Sequence, residues 1–148
     1  MSAIENIANN IVEQLENMTN PAPGHVSRVF FDVQKLAITQ FPAVLVVSTS
    51  ETKTDVSTDL RQGSLIIECR CYVRGTQIDT LRNEIVERIE ETLEVSRDRD
   101  ITLANTNIHN VKTQVTDVQV IERELPLGEV VVSVNVIYTY KKLSLIHI

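Results

Sequence analysis

Along residues 128–142, GEVVVSVNVIYTYKK, every even position from Val130 to Tyr140 is apolar. The odd positions mix Val131 and Ile137 with Ser133, Asn135 and Thr139. The alternation predicts a strand with one wholly apolar face and a second that is half apolar. The segment SLIIECRCYVRG behaves alike: Leu65, Ile67, Cys69, Cys71 and Val73 share one face, and Ile66, Glu68, Arg70 and Tyr72 the other. In VKTQVTDVQVIERE the phase slips, with Val111 and Val115 before the slip and Val118 and Val120 after it, so a β-bulge is expected near Thr116–Asp117. LPLG, from Leu125, is the turn joining this strand to the last one.

Two stretches carry helical period instead. Ile4, Ile7, Ile11, Leu15 and Met18 form one stripe over residues 3–18, with Ser2 and Glu5 spaced as a capping box. TNPAPG ends that helix. Ile78, Leu81, Ile85, Ile89 and Leu93 form the second stripe, in a helix expected from Thr76 to about Val95 and opened by Gly75–Thr76. Its outer face carries Asp79, Arg82, Glu84, Glu87, Arg88, Glu91 and Glu94, with Glu84 and Arg88 spaced as an i,i+4 pair. Glu90, Glu91 and Glu94 crowd the end that the helix dipole makes unfavourable for acids, and either Arg97 and Arg99 just beyond or a neighbouring subunit is expected to offset them.

Between the helices, HVSRVFFDV reads as a first strand from about Ser27 to Val33. FPAVLVV reads as a second, entered through Pro42. Residues 48–62, STSETKTDVSTDLRQ, are polar except for Val56 and Leu60 and read as a long surface loop. The stretch after the second helix, through His109, reads as irregular. The element order is α-β-β-β-α-β-β, and the expected fold class is α+β: a mixed or antiparallel sheet of about five strands packed against two helices. Residues 1–142 are expected to form a single domain. Residues 143–148, LSLIHI, follow Lys141–Lys142 without period. They read either as a docking apolar tail or as a non-native or disordered one, since they match the in-frame read-through of a transposon-type sequencing adapter.

Composition narrows the function. Of 148 residues, 43% are hydrophobic but only 4% aromatic, so the core must be built from Ile, Val and Leu. A formal net charge of −6 argues against a protein that wraps nucleic acid by neutralising phosphates. No apolar run reaches the ~20 residues of a membrane span, and MSAIENIANN lacks a basic or apolar leader, so an unsecreted chain with no membrane partner is expected. Cys69 and Cys71 stand on one strand face at the outer limit of disulfide geometry and read as buried, inert thiols. His25, His109 and His147 show no metal-ligand spacing, and none of the four glycines lies in a phosphate-cradling pattern. No catalytic, cofactor-binding or metal site is expected, and no enzyme. The one acid that alternation sets in mid-sheet, Glu68, has Arg70 beside it on the same face.

What remains is surface. The 48–62 stretch bears both signs, in Glu51, Lys53, Asp55, Asp59 and Arg61, and the ELPLGE turn presents Leu125 and Leu127 around a proline. These seven are the candidate interface residues.

The layout resembles the tail terminator, or tail completion, proteins of long-tailed bacteriophages and related minor tail and neck proteins. It does so over about residues 3–142, with FPAV and GEVVVSVNVIYTY as its best local matches. The resemblance implies a virion structural protein in the tail–neck region, present in the host cytoplasm during assembly. It would form a ring, usually hexameric, on the last ring of the tail tube, stop tube growth and present a surface for head–tail joining. The implied partners are other copies of the chain, the tail tube protein and a head–tail connector or neck protein. DNA would meet it only in transit through the lumen, for which an acidic balance is suited. Two other readings stay open: another phage neck or head-completion adaptor, and a small α+β ligand-binding domain or enzyme using Glu68, Arg70 and Tyr72.

Overall fold

Residues 3–95 and 108–141 are described by a computed structural model of the chain. The expectations for Ser2, for Arg97 and Arg99, and for the tail 143–148 lie outside the described residues. The elements are α1 (Ala3–Glu16), β1 (His25–Ser27), β2 (Ala43–Asp55), β3 (Leu60–Arg74), α2 (Ile78–Val95), β4 (Ile108–Ile121) and β5 (Leu127–Lys141), with short 3-10 turns at Val33–Lys35 and Ile38–Gln40. The strands form one sheet in the order β1-β2-β3-β5-β4. β1 is parallel to β2 and every other pairing is antiparallel, so the sheet is mixed. The α+β architecture and the element order are those the hydrophobic pattern implies.

Both helices lie on one face. Ile7, Ala8, Ile11, Leu15 and Met18 of α1 and its last turn, and Ile85, Ile89 and Leu93 of α2, are buried against Val44, Val46, Leu65, Ile67, Cys69, Val132, Val134 and Val136. Each fully buried aliphatic side chain contributes about 1.5–3 kcal/mol of transfer free energy, so this layer supplies the main driving force. Cys69 and Cys71 are free thiols inside it. Burial pushes the Cys69 thiol up to about 12 and raises Cys71 as well.

The second face is half apolar because half of it is a core. Ala43, Leu45 and Tyr72, with Val47 and Leu127 at the margin, are roofed by Phe31, Val33, Leu36 and Phe41 from the connection between β1 and β2. Phe31 meets Tyr72 edge-on at 5.8 Å. Arg123 lies over the same Tyr72 ring at 5.2 Å and is held by Glu129 at 2.7 Å. Further along this face Ile66, Glu68, Arg70, Ser133 and Asn135 are only half-buried.

Three boundaries differ from the sequence reading. The first strand covers His25–Ser27 and not Ser27–Val33. Arg28 turns towards α1, donating to Glu5 at 2.7 and 2.9 Å and to Asn9 at 3.1 Å, and the chain after it leaves the sheet to build the roof. Residues 48–62 are not a loop: β2 runs to Asp55, β3 starts at Leu60, and only residues 56–59 turn. Backbone pairing needs no apolar side chain, so a strand that is polar on both faces leaves no alternation to read. His109 belongs to β4 and not to an irregular stretch. The predicted bulge is present, as a register shift between Val115 and Asp117, and a second lies between His109 and Lys112.

Candidate functional site

Five of the candidate residues lie at one end of the sheet, on an arm formed by the distal half of the β2–β3 hairpin and backed by β5. Beyond a register shift at Ser48–Ser50, Glu51 stands opposite Leu65, Lys53 opposite Gly63 and Asp55 opposite Arg61. Gly63 in turn faces Tyr138 of β5. A Cβ at Gly63 would collide with the Tyr138 ring, so the glycine is the space in which the ring lies. The Tyr138 hydroxyl donates to the Glu51 carboxylate. Glu51 also pairs with Lys53 at 3.4 Å, and Lys53 sits 5.5 Å over the Tyr140 ring, which stacks on Tyr138. Burial first, and then the bond to Glu51, raise the Tyr138 phenol above its ordinary value, so it stays a neutral donor at physiological pH.

The arm is therefore a fixed structure. Its charges pair within the chain: Glu51 with Lys53, and Asp55 with Arg61 at 3.0 Å. Asp59 accepts from the Ser57 hydroxyl in the exposed turn, beside Val56. Because Tyr138 is almost wholly buried, Gly63→Ala is expected to cost about 1–3 kcal/mol, read as a lower urea midpoint. An unchanged midpoint would mean that the ring does not occupy that space.

The two leucines of the β4–β5 turn separate. Leu125 is 74% exposed, whereas Leu127 packs against the core beneath Tyr72. Gly75 donates its N–H to the Pro126 carbonyl at 3.0 Å, tying this turn to the start of α2. Arg74, Glu124 and Leu125 line a shallow cleft beside it with Val33 and Gln34.

Glu68 and Arg70 pair at 3.2 Å on the open part of the second face. Tyr72 does not join them at a pocket, because the roof buries it to 6% exposure, and burial raises its phenol. A second groove lies between α2 and the second 3-10 turn, lined by Pro21, Ile38, Phe41, Pro42, Leu81 and Glu84. On α2, the expected Glu84–Arg88 pair is replaced by Arg88–Glu91 at 2.8 Å, with Arg88 also donating to the Asn20 carbonyl. Arg82, read as outward, is mostly covered, with 13% of its side chain exposed. Among the described residues no group of three or more His, Cys, Asp and Glu could hold a metal ion, and no helix is long and apolar enough to cross a membrane.

Sequence reasoning missed one feature: exposed apolar residues at the two edges of the sheet, Val29 and Phe30 beside β1 and Val118 and Val120 on β4. VFF read as strand interior, and the β4 valines read as ordinary face residues. Only the bulge hinted that the end of β4 is set apart.

The molecule is thus an α+β domain with two helices on one face of a mixed sheet, a fixed charged arm and two apolar edges. No protein-family model matches the chain, and no curated protein matches it.

Proposed function

We propose that this chain is a structural subunit that closes into a ring on the end of the tail tube of a long-tailed phage, halting tube growth and offering the surface to which the head joins. The observation that carries this reading is the arm. Exposed residues Thr52 to Asp55 stand on a paired strand and 56–59 form its turn, with Glu51 holding Tyr138 and Lys53, and Asp55 holding Arg61. A paired surface of this kind suits docking to a preformed partner, because little ordering entropy is lost on contact. The element order shared with tail terminators supports the same reading. The net charge of −6 suits a lumen through which DNA passes without being held.

The test combines native mass with tube assembly. The purified chain should be a hexamer, or a monomer that becomes a ring when tail tubes of the same phage are added, and it should stop tube elongation. Val56→Glu, at the exposed tip of the arm, is expected to leave the native mass unchanged and to weaken binding to tube ends by about tenfold. A chain that remains monomeric and leaves tubes growing at every concentration would overturn the proposal.

A further inference from the structure

The two apolar edges lie at the same height on the sheet. One row of paired residues crosses all five strands: Ser27 of β1 with Leu45, Leu45 with Arg70, Arg70 with Val131, and Val131 with Gln119 of β4. At one end of that row, Val29 and Phe30 follow Ser27 and are 75% and 68% exposed. At the other, Val118 and Val120 flank Gln119 and are 43% and 50% exposed.

Each edge is held in place. The Val29 N–H donates to the Ser27 hydroxyl at 2.9 Å, and the hydroxyl donates to the Val29 carbonyl at 3.0 Å. Arg28 is clamped to Glu5 and Asn9, so the corner formed by Val29 and Phe30 points away from the domain as a fixed knob. On β4, the register shift after Val115, with the Thr116 hydroxyl donating to the Ser133 carbonyl, turns Val118 and Val120 to the helix side. Leu81 and Arg88 of α2 face Pro21 and Asn20, so helical spacing sets Arg82 and Val86 on the opposite flank, towards β4. The valine strip thus has α2 on one side and the open strand edge on the other.

We propose that copies of this chain join edge to edge, the Val29–Phe30 corner of one seated on the Val118–Val120 strip of the next. Strand direction permits it. β1 runs with β2, against β3, with β5 and against β4, so a copy shifted sideways without turning over brings its β1 antiparallel to the β4 of its neighbour. The shift is about five strand spacings, roughly 24 Å. Such a contact is heterologous: each copy uses one edge to give and the other to receive, and the repeat closes into a ring if the rotation per step allows. Four side chains cover much less than the ~800 Å² per partner of a standard interface, so one contact alone is weak. A tube end that gathers several copies raises their effective concentration and lets the ring close there. The inference rests on the ring reading above and names its joint.

Cysteine cross-linking tests it. Phe30→Cys and Val118→Cys are made singly and together, the native thiols being buried. Under mild oxidation at high protein concentration, either single variant alone should stay monomeric. An equimolar mixture of the two should stop at dimers, and the double variant should give a ladder of oligomers. Phe30→Glu should raise the concentration needed to halt tube growth by about tenfold or more. Dimers from one single variant alone would indicate a two-fold contact and overturn the proposal, as would the absence of cross-links from both the mixture and the double variant. If cross-links fail while the wild-type chain still halts tubes, the joint is wrong and the capping reading stands. A ladder with tubes that keep growing would do the reverse.

Discussion

Replacing Ile89 by alanine is expected to lower the unfolding free energy by about 3–4 kcal/mol, far more than truncation of any half-exposed side chain on the same sheet face. Ile89 is fully buried at the middle of the α2 stripe, between Ile85 and Leu93, and belongs to the core shared with β3 and β5. Truncation removes the transfer free energy of three carbons and leaves a cavity, because helix and sheet are each held by their own backbone bonds and cannot close on it. For a chain of 148 residues a loss of this size lowers the melting temperature by roughly 10 °C. Val120→Ala is the control. Val120 lies on the same side of the sheet but is half exposed, and its truncation should cost about 0.5 kcal/mol or less. Urea unfolding with an unchanged m-value distinguishes the two. A cost below about 1 kcal/mol at Ile89 would mean that α2 is not packed on the sheet as described.

Raising the pH from 8 to 10 is expected to remove stability, about 2 kcal/mol of it through Cys69. The cause is the pair of buried thiols. In the unfolded chain a thiol titrates near its ordinary value of ~8.5. In the fold, burial holds Cys69 up at about 12 and Cys71 well above the ordinary value. A folded value above the unfolded one means that the stabilising contribution is complete below pH ~8.5. It is lost progressively as the pH climbs towards the folded value, because the unfolded chain releases protons that the fold retains. Cys69 loses at most about 1.4 kcal/mol per pH unit in that window, and Cys71 adds a loss of the same sign. Tyr138 and Tyr72, also raised, add to the loss only above about pH 10. The Cys69→Ala, Cys71→Ala double variant starts less stable but should show a much flatter decline over the same range. Equal slopes in the two proteins would refute the assignment to the thiols.

The arm and the edges divide the work of the proposed assembly. Tyr138, Glu51 and Gly63 make the arm rigid enough to meet a partner without reordering, while the edges join like to like. Both depend on the same strands: β3 runs from the arm turn at Leu60 to the roofed core at Tyr72, and β5 follows it along the whole length. Destabilising either core is therefore expected to disturb assembly as well as folding.

Much of this was readable from residue types alone. The helical stripes of α1 and α2, the alternation of β3 and β5, the order of the elements and the bulge near Thr116 all follow from local period, since a side chain's face is set by the few residues around it. Their partners were not readable. The strand character of residues 48–55 and 60–62 comes from backbone pairing, of β2 with β3 across a short turn and of β3 with the distant β5, and their polar side chains carry no trace of it. The seven candidate interface residues were placed together as surface, but Glu51 turns inward to Tyr138 and Leu127 joins a core. By itself the sequence determined which face of each element is apolar. Only the tertiary structure decided what covers that face: the roof of Phe31, Val33 and Phe41 over Tyr72, and open edges at Val29, Phe30, Val118 and Val120. Period reports the direction of a side chain, whereas coverage depends on where other segments end.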